Sequence, residues 1–122
     1  MAYRVDISPS ALQDAEDAYL WIKERAPDRA GDWYEGLLET IFSLEELPMR
    51  CSIAPESEDI GIRIRQIFYG KGHHRYRILF TIGYDEKTDE DVVRIYRIWS
   101  SSRGNIRIAE IARGEAESDD DK

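Results

Sequence analysis

Seven arginines in the second half of the chain have the type and spacing to grip an anion. Arg63 and Arg65 lie two apart in the run Ile62 to Tyr69, which alternates apolar with polar residues, so on one strand they project from the same face. Arg75 and Arg77 repeat the pattern in Arg75 to Ile82. Arg97 extends from Val92 to Trp99, and Arg103 and Arg107 follow just beyond. On adjacent strands these guanidiniums would line a shallow groove. Their planar fork matches phosphate bidentately, and each neutralised phosphate releases counterions. Tyr69, Tyr76, Tyr96 and Trp99 lie among them and could stack on bases, although some must serve the core. The same pattern also fits a sheet with one face on helices and the other solvated by arginine.

Other chemistry finds little support. Cys51 is the single cysteine, which excludes an intrachain disulfide and a cysteine metal cluster, and it reads as a plain loop thiol. His73 and His74 sit side by side where an extended chain points them apart, without a third ligand, so they decorate a turn. The carboxylates of Asp14, Asp17, Glu24, Glu35, Glu39, Glu45 and Glu46 read as solvated helix faces. Gly70-Lys71-Gly72 is a turn and not a phosphate loop, since no helix follows it. No metal and no cofactor is expected.

The elements that must position the arginines follow from periodicity. Tyr3 to Ile7 alternates as a half-buried strand. Ser8-Pro9 then starts a helix, with serine as N-cap and proline at the first helical position. Leu12, Ala15, Tyr19 and Ile22 recur at steps of three and four until Pro27 ends the run. Asp28 is expected to cap a second helix, whose stripe runs from Tyr34 to Leu47 before Pro48 closes it. So short a link folds the two into an antiparallel hairpin. Residues 48–60 read as a loop, and the three alternating runs as strands joined at Gly70-Lys71-Gly72 and at Tyr84 to Asp91. A short helix is expected from Asn105 to Arg113. The order β-α-α-β-β-β predicts an α+β fold, a helix hairpin on one face of a small, mainly antiparallel sheet.

Length and charge agree with one domain, residues 1–113, followed by an acidic disordered tail, 114–122. The chain has 122 residues and a net charge of −8, unevenly spread. Residues 1–60 carry a net −9, residues 61–113 a net +5 and the tail a net −4. The total argues against a dedicated nucleic-acid binder, while the basic half implies a localised positive surface for an anionic partner. No apolar run reaches the ~20 residues of a membrane span, and the opening Met-Ala-Tyr-Arg-Val-Asp has no apolar signal core, so a cytoplasmic protein is expected.

Four stretches stand in a telling order: Tyr3-Arg-Val-Asp-Ile-Ser-Pro-Ser-Ala11, Tyr19-Leu-Trp21-Ile with Trp33-Tyr34-Glu-Gly-Leu, Leu47-Pro48-Met-Arg-Cys51, and, most specific, Arg65-Gln-Ile-Phe-Tyr69-Gly-Lys71 followed by Tyr76-Arg77-Ile-Leu-Phe80. With them the string resembles the RelE/ParE superfamily of bacterial toxins over residues 3–104, above all its ParE-like, plasmid-stabilisation branch. It implies the toxin of a type II toxin–antitoxin operon, neutralised by a small antitoxin. ParE-like members poison DNA gyrase, whereas RelE-like members cut mRNA on the ribosome without metal. On the RelE pattern, Arg63, Arg65, Arg77 and Arg103 would be the transition-state donors. The chain departs from that pattern in having no tyrosine or histidine after Arg103. Arginine at 63 and 65 is also a poor proton carrier, because a guanidinium does not readily give up its proton. Trp99-Ser100-Ser101-Ser102 stands where ParE-like chains commonly carry Arg-His-Gly-Ala. The reading is therefore a toxin that acts by binding, through Arg63, Arg65, Arg77, Arg97, Trp99 and Arg103. A ribosome-dependent nuclease, or a non-toxic remnant with the same fold, is the alternative.

Overall fold

The computed structural model describes residues 2–104, 106 and 107. Strand β1 (Arg4–Ile7) runs through Ser8 into helix α1 (Pro9–Arg25). Ser8 caps as its place before proline predicts, its Oγ accepting the Ala11 N–H at 3.1 Å. The same hydroxyl donates to the Tyr96 carbonyl at 2.9 Å, so the cap also fastens α1 to the last strand. Helix α2 (Pro27–Phe42) follows after Ala26. Asp28 does not cap it. Ala26 holds the cap position without a side-chain bond, and Asp28 lies in the first turn, where its charge still complements the helix dipole. The helix stops at Phe42, short of Leu47, because Ser43–Glu45 tightens into a 3-10 turn and Leu47 adopts a left-handed φ of 48°.

Residues 48–60 are more than a loop. They hold a two-residue strand, β2 (Ser52–Ile53), and a single helical turn, α3 (Ser57–Ile60). Strand β3 (Arg65–Tyr69) starts later than Ile62, since Ser57 Oγ takes both the N–H and the carbonyl of Ile64 and turns the preceding chain away. The long hairpin of β4 (Tyr76–Asp85) and β5 (Glu90–Ser100) completes a five-stranded sheet in the order β1-β5-β4-β3-β2. The β1–β5 pair is parallel, and the β2–β3, β3–β4 and β4–β5 pairs are antiparallel. The expected α+β layering is thus found, with one more strand.

Alternation along β4 divides the apolar residues between two faces. Ile78 and Phe80, with Val93, Ile95 and Ile98, pack under Ala11, Ala15, Leu37 and Ile41 of the helix hairpin. Leu79 points to the other face, where it meets Ala54, Ile64, Tyr96, Trp99 and Ile106. Leu79 faces Arg97 but Phe80 faces Ile95, which leaves Tyr96 as the extra residue of a bulge in β5. The outer face is therefore a second small core roofed by the 54–64 segment, and not an open arginine-lined surface. The helix expected from Asn105 to Arg113, and the tail 114–122, lie outside the described residues except for Ile106 and Arg107.

Candidate functional site

Strand parity decides where each arginine goes. Arg77 lies between Tyr76 and Ile78, so it points to the outer face, directly across the ladder from Trp99. There it is buried against Glu56. Arg77 Nη1 donates to Glu56 Oε2 at 2.7 Å, Nη2 donates to Oε1, and Nε donates to Gln66 Oε1 at 3.1 Å. Glu56 also accepts the Ile106 N–H at 3.0 Å. Burial alone would push the Glu56 carboxyl up, but the Arg77 bonds and charge, with the Ile106 N–H, hold it below its usual range.

Arg65 takes the opposite face. It pairs with Phe80 across β3 and β4, on the helix side, and Nη1 donates to the carbonyls of Met49 at 3.2 Å and Cys51 at 2.8 Å. Arg63 lies before β3 begins and is exposed beside Ser57, Glu58 and Gly61. The two do not share one strand face, because the strand that would have aligned them starts at Arg65. Burial pushes the Cys51 thiol up against the pull of Arg50 and Arg65, which leaves it a poor nucleophile.

The end of β5 gathers the remaining candidates. Arg97 Nε and Nη2 donate to Asp14 at 2.7 and 2.8 Å, and the Ile98 N–H donates to the same carboxylate at 3.0 Å. Asp14 is thus a tie between α1 and β5 and not part of a solvated helix face. Trp99 is 3% exposed, with Nε1 donating to the Gly104 carbonyl at 2.9 Å. Arg97 and Arg103 lie over its ring, at 5.3 and 3.6 Å from the centroid. The structure therefore joins Arg77, Arg97, Trp99 and Arg103 in one neighbourhood and keeps Arg63 and Arg65 out of it. Within that group Arg77 and Arg97 are neutralised internally, while Arg103 presents its guanidinium to solvent.

The aromatic residues divide likewise. Tyr96 and Trp99 are core, and Tyr69 and Tyr76 are half-buried against Trp33. Burial raises the pKa of both tyrosines, with Glu39 adding to the effect at Tyr69, which makes neither a ready proton acceptor. Two residues that matter here, Glu56 and Asp14, are hard to see in sequence. Glu56 sits in a polar acidic loop that offers no signal. Asp14 does offer one, since it interrupts the Ala11, Ala15, Ala18 stripe that faces the sheet. Among the described residues no three His, Cys, Asp or Glu side chains could hold a metal ion, and no helix is long and apolar enough to cross a membrane.

No curated protein matches the chain. A family model described as the ParE toxin of the type II toxin–antitoxin system, parDE, matches residues 5–104. That span runs from within β1 to Gly104, and so includes the helix hairpin, the sheet and the Trp99 neighbourhood. The chain belongs to the ParE toxin family of type II toxin–antitoxin systems.

Proposed function

We propose that this toxin inhibits growth by binding a cellular protein, DNA gyrase being the target its family suggests, and that a cognate antitoxin neutralises it in the cytoplasm. The observation that carries binding over RNA cleavage is the Arg77–Glu56 pair. A nuclease of the RelE kind needs Arg63, Arg65, Arg77 and Arg103 aimed at one phosphate. Here Arg77 is spent on a buried carboxylate, and Arg65 faces the opposite side of the sheet. Arg63 and Arg103 are the exposed members of the set and serve as contacts. Arg65, Arg77 and Arg97 hold the surface in shape.

Pulse-labelling after induction of the toxin alone tests this reading. Thymidine incorporation is expected to fall before amino-acid incorporation, and coexpression of the antitoxin to restore it. A prior fall in protein synthesis, with transcripts cut only when ribosomes are present, would replace it with the nuclease reading. If neither incorporation falls, the chain keeps the family fold without its toxicity.

A further inference from the structure

Strand β1 covers β5 only from Val92 to Ile95, and β5 runs on to Ser100 beside α1, where side chains such as Ser8 and Asp14 take the place of a strand partner. A cavity of about 420 Å³ opens at this step, walled by Trp21 and Tyr76 and lined further by His74, Ser100, Ser102 and Arg103. Its volume lies within the range of sites that hold a small ligand or an inserted side chain, roughly 300–1,000 Å³.

The polar groups around the cavity are unequally engaged. On the α1 side Asp14 is committed to Arg97 and the Ile98 N–H, and Asp17 accepts from Gln13 at 2.9 Å. The donors at the other side are open. Arg103 makes no hydrogen bond or ion pair among the described residues, yet its stack over Trp99 holds it in place. The His74 ring meets the Trp21 ring, with centroids 5.6 Å apart, and has no hydrogen-bond partner among the described residues. The hydroxyls of Ser100 and Ser102 bond to each other at 2.9 Å, which leaves one proton to donate.

An arginine ordered on an indole with its N–H groups unspent, beside a hydroxyl donor and two aromatic walls, suits a carboxylate carried next to an apolar group. A polyphosphate suits it less, because Asp17 lines the same cavity and the chain is net −8. We propose that this cavity receives an acidic side chain, with its apolar neighbour, from a partner protein. The proposal deepens the antitoxin-binding reading above and rests on it: the acidic residue docks on Arg103, and the apolar one lies against Trp21 and Tyr76.

Nuclear magnetic resonance titration with two capped dipeptides tests the site without reference to toxicity. N-acetyl-leucyl-glutamate amide is expected to move the Trp21 indole and His74 ring signals, whereas the glutamine counterpart leaves them unmoved. R103Q, at an exposed position without a hydrogen bond or ion pair among the described residues, should weaken the glutamate dipeptide at least tenfold, as expected for loss of a charge-assisted contact. R29Q, on the first turn of α2, should leave it unchanged. Equal response to both dipeptides, or equal binding by R103Q and the parent, would overturn the proposal. So would a dinucleotide that moves the same signals at lower concentration, because the occupant would then be a nucleic acid. A failed titration alongside arrested growth would remove this site and leave the toxin reading intact.

Discussion

Glu56 and Arg77 form a two-pronged ion pair sealed from solvent, their side chains 3% and 8% exposed, and this pair locks the 54–64 segment onto the outer face of the sheet. Through the Ile106 N–H the same carboxylate also fixes the chain that leaves β5. One buried charge pair thus sets the shape of the surface on which Arg103 lies over the buried Trp99 ring.

Breaking the pair from one side should cost more than replacing both partners. E56L or R77M alone leaves an uncompensated buried group and is expected to lower stability by about 3–5 kcal/mol. In the E56L/R77M double variant the loss should shrink to about 1–3 kcal/mol, the cost of leaving the Ile106 N–H and Gln66 Oε1 without partners. Urea denaturation of the four proteins measures the coupling, and additive losses would show that the pair does not act as a unit.

Acid should loosen the same lock. Since the folded state holds the Glu56 carboxyl below its ordinary 4.5, the unfolded chain binds more protons as the pH drops beneath that value. The pair's contribution is therefore complete above about pH 4.5 and fades as the pH falls through the folded pKa. The stability difference between the parent and E56Q should follow that course. Asp85, lowered by its hydrogen bond to Arg4, acts in the same direction in both proteins and drops out of the comparison.

Gly36 sits in mid-helix, where alanine would ordinarily gain about 1 kcal/mol. A methyl group there would lie 2.2 Å from Tyr69 Oη, the hydroxyl that donates to the Trp33 carbonyl at 2.8 Å. G36A should therefore destabilise by about 1–3 kcal/mol through overpacking. Removing the hydroxyl as well, in G36A/Y69F, should recover part of that loss. Thermal unfolding of both variants checks the sign.

Asp14 offers a separate handle on the joint between α1 and β5. D14A strips three hydrogen bonds from Arg97 and the Ile98 N–H, and a loss of about 2–4 kcal/mol is expected. Hydrogen exchange should speed up first at Ile98, the amide that loses its acceptor.

Much of this architecture is legible in the residues. Ser8-Pro9, the three-and-four spacing in the helices and the alternation in β4 and β5 are local signals strong enough to survive tertiary context. What escapes notice is set by distant partners. Strand β2 and helix α3 exist because Ala54 and Ser57 bond Ile64, which no pattern within 48–60 announces. Alternation placed Arg75 and Arg77 on one face of their strand, but only the pairing of Arg65 with Phe80 reveals that Arg65 takes the other. Nor does a glutamate behind Pro55 declare that it will be buried. The arginines looked like a groove because charge on a strand face reads as solvent exposure until its counter-charge is located.

The parallel pairing of β1 with β5 has a consequence for biosynthesis. Arg4 aligns with Val92 and Ile7 with Ile95, so the first strand waits for most of the chain before its neighbour in the sheet exists. The helix hairpin and the β4–β5 hairpin are local in sequence, whereas closing the sheet joins residues 4–7 to residues 92–95, a contact of long sequence separation. A nascent or prematurely terminated chain cannot close its sheet, and a poison built this way does not mature until translation has passed its last strand.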